Sequence, residues 1–128
     1  PVLTYLGCSY NALTVLPDLS DNSFLQYLGC SYTQLTALPS LDSNYALYWL
    51  SCEGNQLTTL PDISGTAMVL LHCQDNQLTA LPSLSSSLAL QQLYCNGNQL
   101  TTLPNLSTNT SLVDLHCQNN LLKSVKQQ

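Results

Sequence analysis

Residues 93–104 read LYCNGNQLTTLP, and the frame L-x-C-x-x-N-x-L-x-x-L-P recurs along the chain. The other copies are LGCSYNALTVLP from Leu6, LGCSYTQLTALP from Leu28, LSCEGNQLTTLP from Leu50 and LHCQDNQLTALP from Leu71. A sixth, LHCQNNLLKSVK from Leu115, departs from the frame at its end. The Cys residues fall at 8, 30, 52, 73, 95 and 117, spaced by 22, 22, 21, 22 and 22 residues. A Leu or Met stands three residues before each copy, at Leu3, Leu25, Leu47, Met68, Leu90 and Leu112. The third repeat is one residue short, between Pro61 and Leu71. Self-similarity at this period marks a stack of units, none of which buries its apolar face alone.

Each repeat has a physical reading of its own. Around L-x-C the side chains alternate between the two faces of a short strand, so Leu6 and Cys8 point inward while Tyr5, Gly7 and Ser9 point out. Stacked repeats place successive strands as parallel neighbours about 4.8 Å apart, and five such gaps give a sheet roughly 25 Å wide. Asn11, Asn55, Asn76, Asn98 and Asn120 form an Asn ladder, with Thr33 as its exception. A buried amide can satisfy backbone groups that the turning chain leaves unpaired. Thr33 offers one hydroxyl instead, which predicts a weaker join there. The segments after Pro17, Pro39, Pro61, Pro82 and Pro104 are polar returns, each with one inward apolar residue: Leu19, Leu41, Ile63, Leu84 and Leu106. Their Pro, Ser, Asn and Asp content predicts extended or single-turn structure rather than helix.

The pattern resembles the leucine-rich repeat family, L-x-x-L-x-L-x-x-N-x-L, over nearly the whole chain. Cys in place of the third Leu resembles the internalin J-like cysteine-ladder variety of bacterial surface proteins. The L-T-x-L-P ending resembles the LPX repeats of secreted bacterial effectors. The resemblance implies a leucine-rich-repeat solenoid of six repeats of about 22 residues. Its parallel β-sheet lies on the concave face, with irregular or single-turn returns on the convex side. It also implies a binding protein rather than an enzyme, extracellular or at a cell surface.

Composition narrows the function classes. The 128 residues suit one domain spanning 1–128. Charged residues are 7% of the chain, against about 25% in ordinary globular proteins, whereas Leu occurs 29 times. A net charge of −5, with no Arg and only Lys123 and Lys126, argues against nucleic-acid binding. No apolar run approaches the roughly 18 residues of a membrane span, which argues against membrane insertion. No secretory or lipidation signal is visible, although a mature chain loses a cleaved one. Solenoids normally end in polar caps, and none is legible here. Pro1, Val2 and Leu3 enter the first repeat at once. Leu121, Leu122 and Val125 precede Lys126, Gln127 and Gln128. Either the chain is part of a longer protein, or its ends meet another copy head to tail, a contact that builds filaments.

The reactive side chains point away from catalysis. Cys8, Cys30, Cys52, Cys73, Cys95 and Cys117 each fill a core Leu position, as a structural ladder. In-register parallel strands aim neighbouring Cβ atoms the same way, which is poor disulfide geometry, so reduced core thiols are expected. A column does not converge on a point, so no metal site is expected, and no cofactor either. His72 and Cys73, like His116 and Cys117, are adjacent strand residues that face opposite sides and cannot act as a pair. Cys73-Gln74-Asp75 matches the C-x-D of a ligase domain found in some LPX effectors, but it lies inside a repeat and reads as chance.

The outward residues carry the functional reading. Tyr5, Tyr27 and Trp49 lie side by side at the start of the sheet, with Tyr10 and Tyr32 beside them; His72, Tyr94 and His116 continue in the second half. Rigid amphipathic rings suit recognition of a protein or glycan. The plainer reading is that rings one strand apart stack on one another and shield the sheet. A regular Thr column at 14, 36, 58, 79 and 101 resembles the arrays of ice-binding solenoids, yet Thr also suits a strand end. Asn105-Leu106-Ser107 and Asn109-Thr110-Ser111 fit N-x-[ST] on the convex side. Taken together, the sequence points to a non-catalytic binding or adhesion module working through its concave aromatic face. The alternative is a self-associating structural subunit of a fibre or surface layer, joined through uncapped ends.

Overall fold

The computed structural model of the chain describes residues 2–123, so Pro1 and residues 124–128, Val125, Lys126, Gln127 and Gln128 among them, lie outside the described residues. Six three-residue strands follow one another: β1 (Tyr5–Gly7), β2 (Tyr27–Gly29), β3 (Trp49–Ser51), β4 (Leu70–His72), β5 (Gln92–Tyr94) and β6 (Asp114–His116). They form one parallel sheet in chain order. The register pairs Leu6 with Leu28, Leu28 with Leu50, Leu50 with Leu71, Leu71 with Leu93 and Leu93 with Leu115. The result is the solenoid that the repeat predicts. The missing residue of the third repeat leaves the register intact.

The core is columnar. Leu28, Leu50, Leu71 and Leu93 on the strands are fully buried, as are Leu35, Leu57, Leu78 and Leu100 beyond them. Leu41, Ile63 and Leu84 close the stack from the returns. Backbone bonds run from repeat to repeat well past the strands, for example Cys52 N–H to His72 C=O (2.9 Å) and Gln77 N–H to Leu57 C=O (2.8 Å).

The returns are built from hydrogen-bonded turns, and no helix occurs among the described residues. In the first, Asn22 N–H bonds Leu19 C=O and Leu25 N–H bonds Asn22 C=O, two successive turns. The second, fourth and fifth returns repeat this at Asn44, Ser87 and Asn109. The third makes only the first turn, Thr66 N–H to Ile63 C=O (3.0 Å); Ala67 N–H then bonds Leu47 C=O (2.9 Å) in the neighbouring repeat. The short repeat has therefore lost its second turn, between Thr66 and Met68.

Two further columns run along the returns. Immediately after each Pro, Asp18, Ser40, Asp62, Ser83 or Asn105 accepts a bond from the N–H two residues on, the Asx- and ST-turn geometry. Deeper in, Asn44 Nδ2 donates to Leu19 and Asn22 C=O, and Asn109 Nδ2 donates to Leu84 and Ser87 C=O. Asn109 is thus buried and committed. This corrects one of the two N-x-[ST] readings: in the folded chain the Asn109 amide is not available for modification, whereas Asn105 is exposed.

All six thiols are free; Cys30, Cys52, Cys73 and Cys95 are fully buried, and Cys8 and Cys117 partly so. Burial pushes Cys30 and Cys95 up to about 12 and raises Cys52 and Cys73 well above the ordinary thiol value. The reactive species is the thiolate. In native protein at pH 8, a thiol reagent should therefore modify Cys8 and Cys117 first. The four buried thiols should react at least about a hundredfold more slowly, through opening of the stack. Peptide mass spectrometry reads the order, and equal rates at all six would contradict the core placement.

Candidate binding face

The solvent face of the sheet presents an unbroken row of rings. Tyr5 and Tyr27 stack at 4.5 Å between centroids, and Tyr27 meets Trp49 edge-on at 4.7 Å. Trp49 then reaches His72 at 6.3 Å, and His72, Tyr94 and His116 stack with nearly parallel rings at 4.4 and 4.2 Å. Strand alternation assigns Tyr5, Tyr27 and Trp49 to one column and His72, Tyr94 and His116 to the next. The row crosses between them at Trp49. One strand earlier, Tyr27 leans over Gly29, where any Cβ would collide with its ring. The structure joins the rings of both columns into one row, and a different property divides the face.

That property is hydrogen-bonding capacity. Toward the C-terminal end it is used internally. Tyr94 Oη donates to Asp114 Oδ2 (2.6 Å), and His116 Nε2 lies 3.0 Å from Asp114 Oδ1, an ion pair when the imidazole is protonated. The bond to Asp114 is the first cause that raises the Tyr94 phenol, ahead of burial and the Asp114 charge. His72 Nε2 lies 3.0 Å from Gln92 Oε1, an arrangement that needs the proton on Nε2.

At the middle of the face, on the third and fourth repeats, three atoms leave that capacity unused. Trp49 Nε1, Glu53 Oε1 and Gln74 Oε1 are shut off from solvent without any hydrogen-bond partner. Glu53 and Gln74 are laterally adjacent, since Gly54 N–H bonds Gln74 C=O and Tyr32 N–H bonds Glu53 C=O. Glu53 also acts on the tyrosines. Burial, then Tyr5 and Glu53, raise the Tyr27 phenol; burial, then Asp75 and Glu53, raise Tyr32. Buried polar atoms without partners are uncommon and costly, about 1–3 kcal/mol each. Three of them on one patch distinguish it from the rest of the face. The repeat frame gives no signal for Glu53 and Gln74, because both fall at a variable position of it.

A second peculiarity lies beside them. Tyr10, Tyr32, Gly54, Asp75, Gly97 and Asn119 form one column, and all have left-handed backbone, with φ from 54° to 71°. Gly, Asp and Asn tolerate that region; a Tyr there costs about 1–2 kcal/mol. Tyr10 and Tyr32 nevertheless occupy it, with their rings stacked at 5.2 Å and Tyr32 lying over Gly54. Strain kept at a surface position invites a functional reading. Of the eight sequence-predicted face residues, Tyr5, Tyr27, Trp49, His72, Tyr94 and His116 make up the row, and Tyr10 and Tyr32 form the strained pair alongside.

No group of three or more His, Cys, Asp or Glu side chains that could hold a metal ion occurs among the described residues.

Comparison with known proteins places this geometry. YopM from Yersinia enterocolitica matches 98% of the chain at 34% identity and TM-score 0.86, using 26% of its own length. The LRR domain of a Shigella effector matches 95% at 31% identity and TM-score 0.84, over 52% of its length. An internalin (inlF) from Listeria monocytogenes matches 97% at TM-score 0.84 and 22% identity, a likeness of fold, over 37% of its length. The chain thus spans between a quarter and about half of these neighbours. No protein-family model and no curated protein matches it.

Proposed function

The chain is a leucine-rich-repeat solenoid, and on that footing we propose that it is a non-catalytic binding module whose ligand docks on the middle of the sheet face, at the third and fourth repeats. The observation that carries this reading is the division of the face. Tyr94 and Asp114, like His72 and Gln92, satisfy one another; the middle of the face, on the third and fourth repeats, leaves Trp49 Nε1, Glu53 Oε1 and Gln74 Oε1 unpaired near Tyr27 and Tyr32. A ligand supplying their partners removes a cost already present in the free protein, so part of its binding energy is prepared in advance. The rings contribute rigid apolar area with little entropy to lose. Regular repeats keep the backbone in place, so that a ligand reaches these covered atoms through side-chain rotation alone.

The ligand class is a protein. The effectors among the structural neighbours support this, and support action outside the cell that makes the chain, either on its surface or beyond it.

Trp49→Ala tests the reading. Trp49 is only half buried and its Nε1 bonds nothing, so its removal leaves the core columns in place. Retention on an array of immobilised proteins and glycans should fall at least about tenfold, while far-ultraviolet circular dichroism stays unchanged; central interface Trp residues carry about 2 kcal/mol or more. Undiminished retention would remove this face from consideration.

A further inference from the structure

We propose that the centre of this face is a receptor for a basic side chain, Arg or Lys, presented by the protein partner, with Glu53 as its counter-charge and Trp49, Tyr27 and Tyr32 as its walls. The inference rests on the docking face proposed above and names the chemistry that fills it.

The unpaired atoms define the occupant. Glu53 Oε1 and Gln74 Oε1 are acceptors, and both lack a donor. A guanidinium or an ammonium is a donor without acceptors, with five N–H groups in the one case and three in the other. A carboxylate adds a requirement that a neutral donor does not meet. Glu53 is held among aromatic rings with its charge uncompensated, and a sugar hydroxyl supplies a hydrogen bond but no charge. The rings supply the remaining recognition, because the faces of Trp and Tyr attract cations, more strongly once water is excluded. Trp49 Nε1–H is the one unpaired donor of the patch, and it finds its acceptor in a backbone carbonyl of the same partner segment.

The surroundings agree in charge. Glu53, Asp75 and Asp114 all lie on this face, and no Lys or Arg does; Lys123 is the one base of either kind among the described residues. Asp114 is engaged by Tyr94 and His116, which leaves Glu53 and Asp75 flanking Tyr32 to attract a cation. The net charge of −5 extends that attraction toward an approaching basic segment. A metal ion fits less well, because hard cations take six to eight oxygen ligands and this patch aligns two.

An array of random dodecapeptides, probed with the purified chain, tests the proposal. Each retained peptide is resynthesised with citrulline for Arg and Gln for Lys, which keeps size and removes charge. Retained sequences should be rich in Arg or Lys, and the neutral copies should bind about tenfold less well. Glu53→Gln, nearly the same shape, should reduce the basic peptides to the level of their neutral copies and leave the copies unchanged. Retention without basic bias, neutral copies held equally, an unaffected Glu53→Gln variant, or an array that retains nothing would each overturn the proposal. If retention without basic bias is still lost in Trp49→Ala, the docking face stands and only its basic occupant fails. If Trp49→Ala changes nothing, the face itself is wrong.

Discussion

Asn76→Ala should lower the stability of the chain by about 3–5 kcal/mol, far more than a surface change. Asn76 Nδ2 donates to Cys52 C=O and Cys73 C=O, both at 3.1 Å, while its Oδ1 accepts from Leu57 N–H at 3.1 Å. The damage is uneven. Each Cys carbonyl has a second Asn donor, since Asn55 also serves Cys52 and Asn98 also serves Cys73. Leu57 N–H has no such reserve, and it is left buried without an acceptor. Two lost bonds at about 1 kcal/mol each, plus about 1–3 kcal/mol for the orphaned donor, give the expected loss. Equilibrium urea unfolding followed by circular dichroism measures it. A loss below about 1 kcal/mol would mean that water replaces the amide.

The converse experiment uses the gap in the same ladder. Thr33 Oγ1 lies 2.6 Å from Asn55 Oδ1 and 3.2 Å from Cys30 C=O, so its single hydrogen serves its own repeat or the next. It makes no bond to the first repeat. Cys8 C=O has Asn11 as its side-chain donor, and Leu13 N–H has no acceptor among the described residues. Thr33→Asn should restore both links and raise stability by about 1 kcal/mol.

The parts of this molecule that are legible in the sequence are those the repetition makes redundant. Five returns of one frame establish the strand positions, the register and the inward Leu and Cys columns, because each column needs only the period and the alternation of a strand. The left-handed column was also within reach. Gly54, Asp75, Gly97 and Asn119 are the residue types that accept positive φ, and only the Tyr pair at 10 and 32 hides the pattern. The second Asn ladder was harder to see, since Thr66 and Ser87 interrupt Asn22, Asn44 and Asn109. What sets the middle of the face apart from its C-terminal end is not legible at all. Tyr94 pairs with Asp114 on the next strand, whereas Glu53 and Gln74, equally polar in sequence, meet no donor. That difference depends on how side chains lean across columns, which no period encodes.

Leu50→Ala should cost about 3–5 kcal/mol, the range for a fully buried Leu whose cavity cannot close. Leu50 is 0% exposed and sits in register between Leu28 and Leu71, which are equally buried. Those neighbours cannot move into the space, because their own strands are held on both sides by the parallel ladder. Cys52, two residues on, gives the scale for smaller changes. Cys52→Ala removes one sulfur atom and should cost about 1 kcal/mol, whereas Cys52→Leu adds volume to a filled column and should cost about 1–3 kcal/mol. Leu50 differs from these in its consequence for cooperativity. A solenoid is held by nearest-neighbour interfaces, so a weak third repeat separates the two repeats before it from the three after it. The urea transition should therefore broaden as its midpoint falls, and the apparent slope should drop. Thiol labelling gives an independent measure. Cys52 reacts only when the stack opens locally, and each 1.4 kcal/mol lost increases the open population about tenfold. Labelling of Cys52 in Leu50→Ala should accelerate at least about a hundredfold, with Cys95, two repeats away, changing much less. Equal acceleration at both positions would mean that the six repeats open as one unit, and that the coupling between them exceeds what a single column of Leu provides.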